Sequence, residues 1–231
     1  MLQGLRVPTH RVDNPAVFIF PADEAWDHER IDSEVADLVA AKLAEVKAAA
    51  VEAAAREAGV EVDALSPEQR EAAEACVLTL DEEREARLRH PVGRYHAGET
   101  RFDLTASDHG PNGPVASVLD YLKPDAVPTT FHLRRLTFRQ RAELEAARFA
   151  EVTRGGGDPI GRWLKAVRHG VAKIAEGDHV LWALPRPDAA LPEEWIEILG
   201  DAVGGPAVNL ITLAGAVEKY SAPLTDAEGK R

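Results

Sequence analysis

Thr129-Thr130-Phe131-His132-Leu133-Arg134-Arg135-Leu136-Thr137-Phe138-Arg139-Gln140 is the stretch on which the fold turns. Its first half carries the β-branched and aromatic residues that suit a pleated, half-buried strand. Its second half sets a Thr hydroxyl and a Gln amide three residues apart, the spacing of a reciprocal helix N-terminal cap. A helix is therefore expected to run on through Leu144, Ala147 and Val152 and to stop at Gly155-Gly156-Gly157. A short strand handing over directly to a capped helix points to an α+β chain.

Working upstream, Ala16 to Phe20 is a short apolar run closed by Pro21 and reads as a second strand. Thr100 to Leu104 alternates polar and apolar residues and reads as a third. Between them, from a Ser33 cap to Ala58, the chain has neither Gly nor Pro, and Val35, Val39, Leu43, Val46 and Ala50 recur at helical spacing. Gly59 is the expected stop. Ser66-Pro67-Glu68-Gln69 restarts a helix with a Ser cap, a first-turn proline and a capping-box glutamine, and it is expected to reach Arg89. Two such helices joined by a short link form an antiparallel hairpin. With 14 acidic and 7 basic residues between Ser33 and His90, its outer faces are acidic. From Pro91 to Pro128 the texture is turns, with one helical turn expected near Val118 to Leu122.

Downstream, Asp158-Pro159 is a cap followed by a first-turn proline. It opens a helix expected to carry Ile160, Trp163, Leu164, Val167, Val171 and Ile174 on one face until Gly177. Helices are expected from Pro192 to Ala202 and from Pro206 to Tyr220, with a last cap at Thr225 to Glu228. The expected architecture is a small antiparallel sheet of about three short strands, a C-terminal helical bundle and an inserted acidic helical hairpin. Its regions are 1–32 with 91–136 for the sheet, 33–90 for the hairpin and 137–231 for the helices.

Composition bounds the chemistry. The 231 residues hold 27 Lys and Arg against 39 Asp and Glu, a net charge of -12. Cys76 is the single cysteine, so neither an intrachain disulfide nor a multi-cysteine zinc site can be built. In an acidic, alanine-rich helical context it reads as a packing residue. No run approaches the roughly 20 apolar residues of a membrane helix, and Met1 to Phe20 is too broken by Arg, Pro and Asp to be a signal peptide. A cytoplasmic protein is expected.

The eight histidines are the first candidates for chemistry. His90, His96 and His109, with Asp103 and Asp108, share the turn-rich segment and are the residues a loop-centred metal hydrolase would use. Their spacings match no metal-ligand motif, and no cofactor or metal is expected. There is no G-x-S-x-G nucleophile elbow. Gly155 to Gly157 lacks the P-loop lysine and precedes an acidic cap, so it reads as a helix link. Between Phe131 and Lys173, ten basic residues outnumber four acidic ones, with Arg134, Arg135, Arg139 and Arg141 forming a basic face. Acids are mixed among them and stacking aromatics are few, which favours an acidic partner surface, or the protein's own acidic hairpin, over nucleic acid.

Three segments in order carry a family resemblance: Thr129 to Leu144, Leu164-Lys165-Ala166-Val167-Arg168-His169-Gly170-Val171, and Leu191-Pro192-Glu193-Glu194-Trp195-Ile196-Glu197-Ile198-Leu199 with the later Leu224 to Glu228. A strand ending in Arg-x-Leu-Thr before an amphipathic helix, then an Arg-x-Gly-Val step, then a Leu-Pro helix, resembles the tail assembly chaperones of long-tailed bacteriophages. The resemblance spans Val127 to Arg231; those chaperones are usually smaller, and the 33–89 hairpin is no part of their pattern. It implies a non-enzymatic protein that binds the tape-measure protein, with tail tube protein as a further partner, before the tube assembles. A virion structural adaptor is the alternative. Trp163, Leu164, Val167 and Val171, with Trp195, Ile196 and Leu199, are the candidate partner-binding residues, and the acidic hairpin is a candidate for self-association.

Overall fold

The computed structural model describes residues 16–75, 80–110, 113–154, 158–201 and 206–222. Cys76, Gly155 to Gly157 and the Thr225 to Glu228 cap lie outside them. The chain is α+β, with eight α-helices and a four-stranded antiparallel sheet among the described residues. No helix of these residues is long and apolar enough to cross a membrane. The chain divides into two compact units: Met1–Asp23, Arg101–Asp103 and Val127–Arg231 form one, and Glu24–Thr100 with Leu104–Ala126 the other.

The sheet unit holds β1 (Ala16–Phe18), and each further element is numbered in chain order. The helical unit follows in sequence. Its α1 (His28–Ala58) starts at Asp27, whose carboxylate accepts from the Arg30 N–H at 3.3 Å. The expected start at Ser33 is thus corrected by more than a turn: an earlier acidic cap was already in place, and Ser33 lies within the helix. Gly59 ends α1 in the left-handed conformation at φ 68°, which a glycine adopts without a Cβ penalty. Against α1 pack α2 (Pro67–Ala75) and α3 (Leu80–Arg89). The Ser66 cap is formed in both directions: Gln69 N–H donates to Ser66 Oγ, and Ser66 N–H donates to Gln69 Oε1. A short α4 (Pro91–His96) comes next, then β2 (Ser107–Gly110) and β3 (Gly113–Ser117) pair as a two-stranded ribbon. Val118 to Tyr121 is a single 3-10 turn, capped by Ser117 and Asp120.

In the sheet unit β4 (Thr129–Leu133) pairs with β1, and β5 (Val171–Glu176) and β6 (His179–Ala183) complete the order β1-β4-β5-β6. The helices are α5 (Phe138–Arg154), α6 (Pro159–Gly170), α7 (Glu193–Asp201) and α8 (Pro206–Ser221). The Thr137 and Gln140 cap of α5 is formed as expected, and Asp158 caps α6 by accepting from Gly161 N–H at 2.9 Å. Leu210, Leu213, Ala214 and Val217 of α8 and Ala166 and Val167 of α6 are buried, as are Phe18, Phe131, Leu133, Val171 and Ile174 of the sheet. Each of the Val, Leu, Ile and Phe side chains among them contributes about 1.5–3 kcal/mol, and each alanine less.

Two expectations about the sheet are corrected. The helix expected to reach Gly177 ends at Gly170, and Val171 and Ile174 belong to β5. Gly177, at φ 54°, is the first residue of the two-residue turn between β5 and β6, so it closes a hairpin and does not stop a helix. Thr100 to Leu104 is not a strand. Arg101 and Phe102 take φ of 53° and 60°, an uncommon conformation for residues with side chains. Phe102 is held there by burial, by an edge contact with Phe18 at 5.6 Å between ring centroids, and by its carbonyl, which accepts from Val17 N–H at 3.0 Å.

Candidate partner-binding cleft

A cleft of about 300 Å³ lies in the sheet unit between the sheet and α7. Its floor is Phe20, Phe131 and Leu181; its wall is Trp195, Ile198 and Leu199; Asp23, Thr129 and Glu176 stand at its polar end. Local chemistry places each group. Phe20 follows β1 and meets Phe131 edge-on at 5.1 Å, an arrangement that matches ring edge to ring face. The chain then turns, Asp23 N–H donating to Phe20 O, and the Asp23 carboxylate accepts from Thr129 N–H at 3.2 Å. Thr129 and Glu176 are register partners across β4 and β5. On the helical side, Asn209 of α8 is buried and donates to Leu199 O at 3.1 Å, which ties the end of α7 to α8. Leu199 faces inward, while Ile198 is 54% exposed. The result is an apolar slot open to solvent, with two carboxylates at one end. The chemistry of such a slot matches an apolar segment with a cation beside it.

The candidate residues named from sequence fall in different places. Trp195 and Leu199 line the cleft, and Ile196 is buried behind it. Trp163 and Leu164 are half-buried on α6. Val167 and Val171 have no exposed surface and serve the core. Phe20, Phe131, Leu181 and Asp23 were missed because no spacing along the chain joins residues that a sheet brings together. Of the four arginines, Arg134 turns inward, Arg135 lies over the Tyr220 ring at 5.5 Å, Arg139 pairs with Glu143 at 3.1 Å, and Arg141 reaches Ser221 O at 3.4 Å.

The histidine set reads differently. His90 is buried and caps α4, its Nδ1 accepting from Val92 N–H at 3.2 Å, so the proton of the neutral ring sits on Nε2. That nitrogen lies 3.4 Å from Glu34 Oε2, a close approach without hydrogen-bond alignment. Glu34 accepts from Tyr121 Oη at 2.7 Å and from Arg30 Nε at 2.8 Å. Burial works to raise the Glu34 carboxyl, and the bonds from Tyr121 and Arg30 outweigh it and hold it below its ordinary range. Burial and the same carboxylate push Tyr121 up to about 12. His96 packs edge-on against Trp26 and Tyr95. Asp103 belongs to the sheet unit, whereas His90, His96, Asp108 and His109 belong to the helical one. Among the described residues no three His, Cys, Asp or Glu side chains converge as a metal-ligand set.

Burial holds the His90 ring below the ordinary histidine range against the pull of Glu34. The unfolded state takes up a proton near pH 6.5 that folded His90 refuses, so stability is full above about 6.5 and is lost as pH falls. Burial acts in the same sense on His132 and His169. The melting temperature is expected to drop between pH 7 and pH 5. In His90→Asn, whose amide oxygen keeps the cap, the drop should be smaller; scanning calorimetry at both pH values checks this, and equal drops would refute it.

Comparison with protein-family models, curated proteins and solved structures finds no match to this chain.

Proposed function

We propose that the chain is a non-enzymatic tail assembly chaperone that holds an apolar segment of a tape-measure protein in the cytoplasm of the producing cell until the tail tube forms. The observation that carries this reading is the open apolar cleft at Trp195, Ile198 and Leu199, on the helix whose Leu-Pro-Glu-Glu-Trp start carries part of the family resemblance. A protein that shields apolar helices needs such a slot on a surface otherwise charged enough to keep the complex dissolved, and the net charge of -12 supplies that. The acidic end formed by Asp23 and Glu176 favours segments with a Lys or Arg beside their apolar anchors. No catalytic step is assigned.

The test is capture of the tape-measure protein from the neighbouring genes, co-expressed with tagged chain, and absence of the chain from finished particles. Ile198→Glu places a charge in the slot at an exposed position, so the fold should persist while affinity falls at least about tenfold, or roughly 1.4 kcal/mol. Retention of the chain in finished particles would favour the structural adaptor instead. Undiminished capture by Ile198→Glu would remove the cleft from the account.

A further inference from the structure

Helix α5 faces its own unit through buried Leu144, and exposed Phe138, Ala142, Glu145, Phe149 and Val152 lie along its outer side, Glu145 at the edge where it also borders a pocket shared with Leu144 and Arg162. These positions follow at alternating steps of four and three residues, so at 3.6 residues per turn they form one stripe along the helix. Phe138 is 80% exposed, Phe149 69% and Val152 80%. A lone exposed apolar residue is ordinary, but two phenylalanines and a valine aligned on one helix make a patch that soluble surfaces normally cover. The four-three spacing is that of a coiled-coil seam.

We propose that this stripe is the surface on which two copies of the chain associate, α5 against α5, antiparallel about a two-fold axis. The stripe is its own complement. When Ala142 of one copy lies beside the partner's Glu145, Phe138 falls against the partner's Phe149, because each phenylalanine stands one four-residue step outside that central pair. A two-fold contact then makes both the phenylalanine layer and the central layer twice. Charge selects the same arrangement. Glu145 lies within the stripe, and Arg141 and Arg148 border it on one side. Among the described residues none of these three has an ion-pair partner within 4.0 Å; Arg141 donates through one terminal nitrogen to the Ser221 carbonyl at 3.4 Å, a bond it would exchange for the partner's carboxylate. The antiparallel pairing brings each Glu145 to the partner's Arg141, and the small Ala142 leaves room for it. A single charged residue in an apolar seam fixes register and direction. A parallel pairing would stack Glu145 on Glu145. Self-association at this stripe is independent of the chaperone role.

Sedimentation of the full chain tests it. The wild type is expected at twice the 25.0 kDa chain mass at micromolar concentration. Phe149→Glu and Phe138→Glu should each weaken self-association at least tenfold while leaving helical content and melting temperature unchanged, because both side chains lie outside the core. Glu145→Arg should weaken it as well, and Arg141→Glu added to Glu145→Arg should restore it, which no other surface would reproduce. A wild type that remains a single chain at high concentration overturns the proposal, and so does a dimer that survives Phe149→Glu.

Discussion

Replacing Arg134 by Ala is expected to lower stability by about 3 kcal/mol, and hence the melting temperature by roughly 6–12 °C for a chain of this size. The reason is where the guanidinium goes. Its Nε donates to His169 O at 2.6 Å, one terminal nitrogen to Pro187 O, and the other to Ala189 O at 2.7 Å, while the Arg134 backbone N–H donates to Gly170 O at 2.7 Å. One side chain thus joins the end of β4, the end of α6 and the loop that leads to α7. Each of the three carbonyls loses a charged donor in the variant, and a charge-assisted bond contributes about 1.5–3 kcal/mol; the exposed Pro187 carbonyl recovers water, which keeps the total below the sum. Arg134→Lys should recover little, because an ammonium cannot span three acceptors that a planar fork reaches at once. Thermal denaturation measures the loss, and proteolysis within 185–190 should accelerate with it. A variant melting within about 2 °C of wild type would show that the clamp contributes nothing.

Gly170→Ala is expected to cost about 2–3 kcal/mol through overpacking. A Cβ built at Gly170 would stand 2.1 Å from Val217 Cγ1, 2.5 Å from Cγ2 and 2.8 Å from Cβ. Val217 is completely buried on α8 and β-branched, so its Cβ cannot swing aside, and α6 and α8 would have to separate. Val217→Ala alone removes two buried methyl groups and is also destabilising. Together, the substitutions remove the two closest collisions and leave Cβ against Cβ at 2.8 Å, so the double variant should be more stable than the sum of the two losses by at least about 1 kcal/mol. Denaturant unfolding of the three variants completes the cycle. Simple additivity would mean that the close approach of these helices does not set the requirement for glycine.

Both sites fall within segments from which the proposed chaperone role is argued. Arg134 stands in the strand-to-helix step and Gly170 in the Arg-x-Gly-Val step. Each now has a reason independent of family: one ties three chain segments together, and the other lets two helices touch. Neither lies among the residues that line the cleft, so their loss should act on stability and leave partner choice alone.

The sequence by itself determined what is decided within a few residues. Ser66 with Gln69, Thr137 with Gln140, Asp158 before Pro159, and Gly59 all formed the caps their spacing implied, because a cap is a hydrogen bond to a backbone group two or three positions away. The strand content of Ala16–Phe18 and Thr129–Leu133 was legible for the same reason, and with the helices it established the α+β class. Only the tertiary structure decided the rest. Val167, Val171 and Ile174 suit a continuing helix face as well as a helix followed by a strand, and the ladder to β4 with the contact between Gly170 and Val217 chose the second. Phe102 looked like the centre of a strand until its burial against Phe18 drew the backbone into a left-handed turn. Arg134 looked like surface charge until three distant carbonyls took it. The cleft likewise draws its floor and wall from β1, β4, β6, α7 and their flanks. Local hydrogen bonds are written in spacing, whereas pairing and burial depend on which remote segments meet.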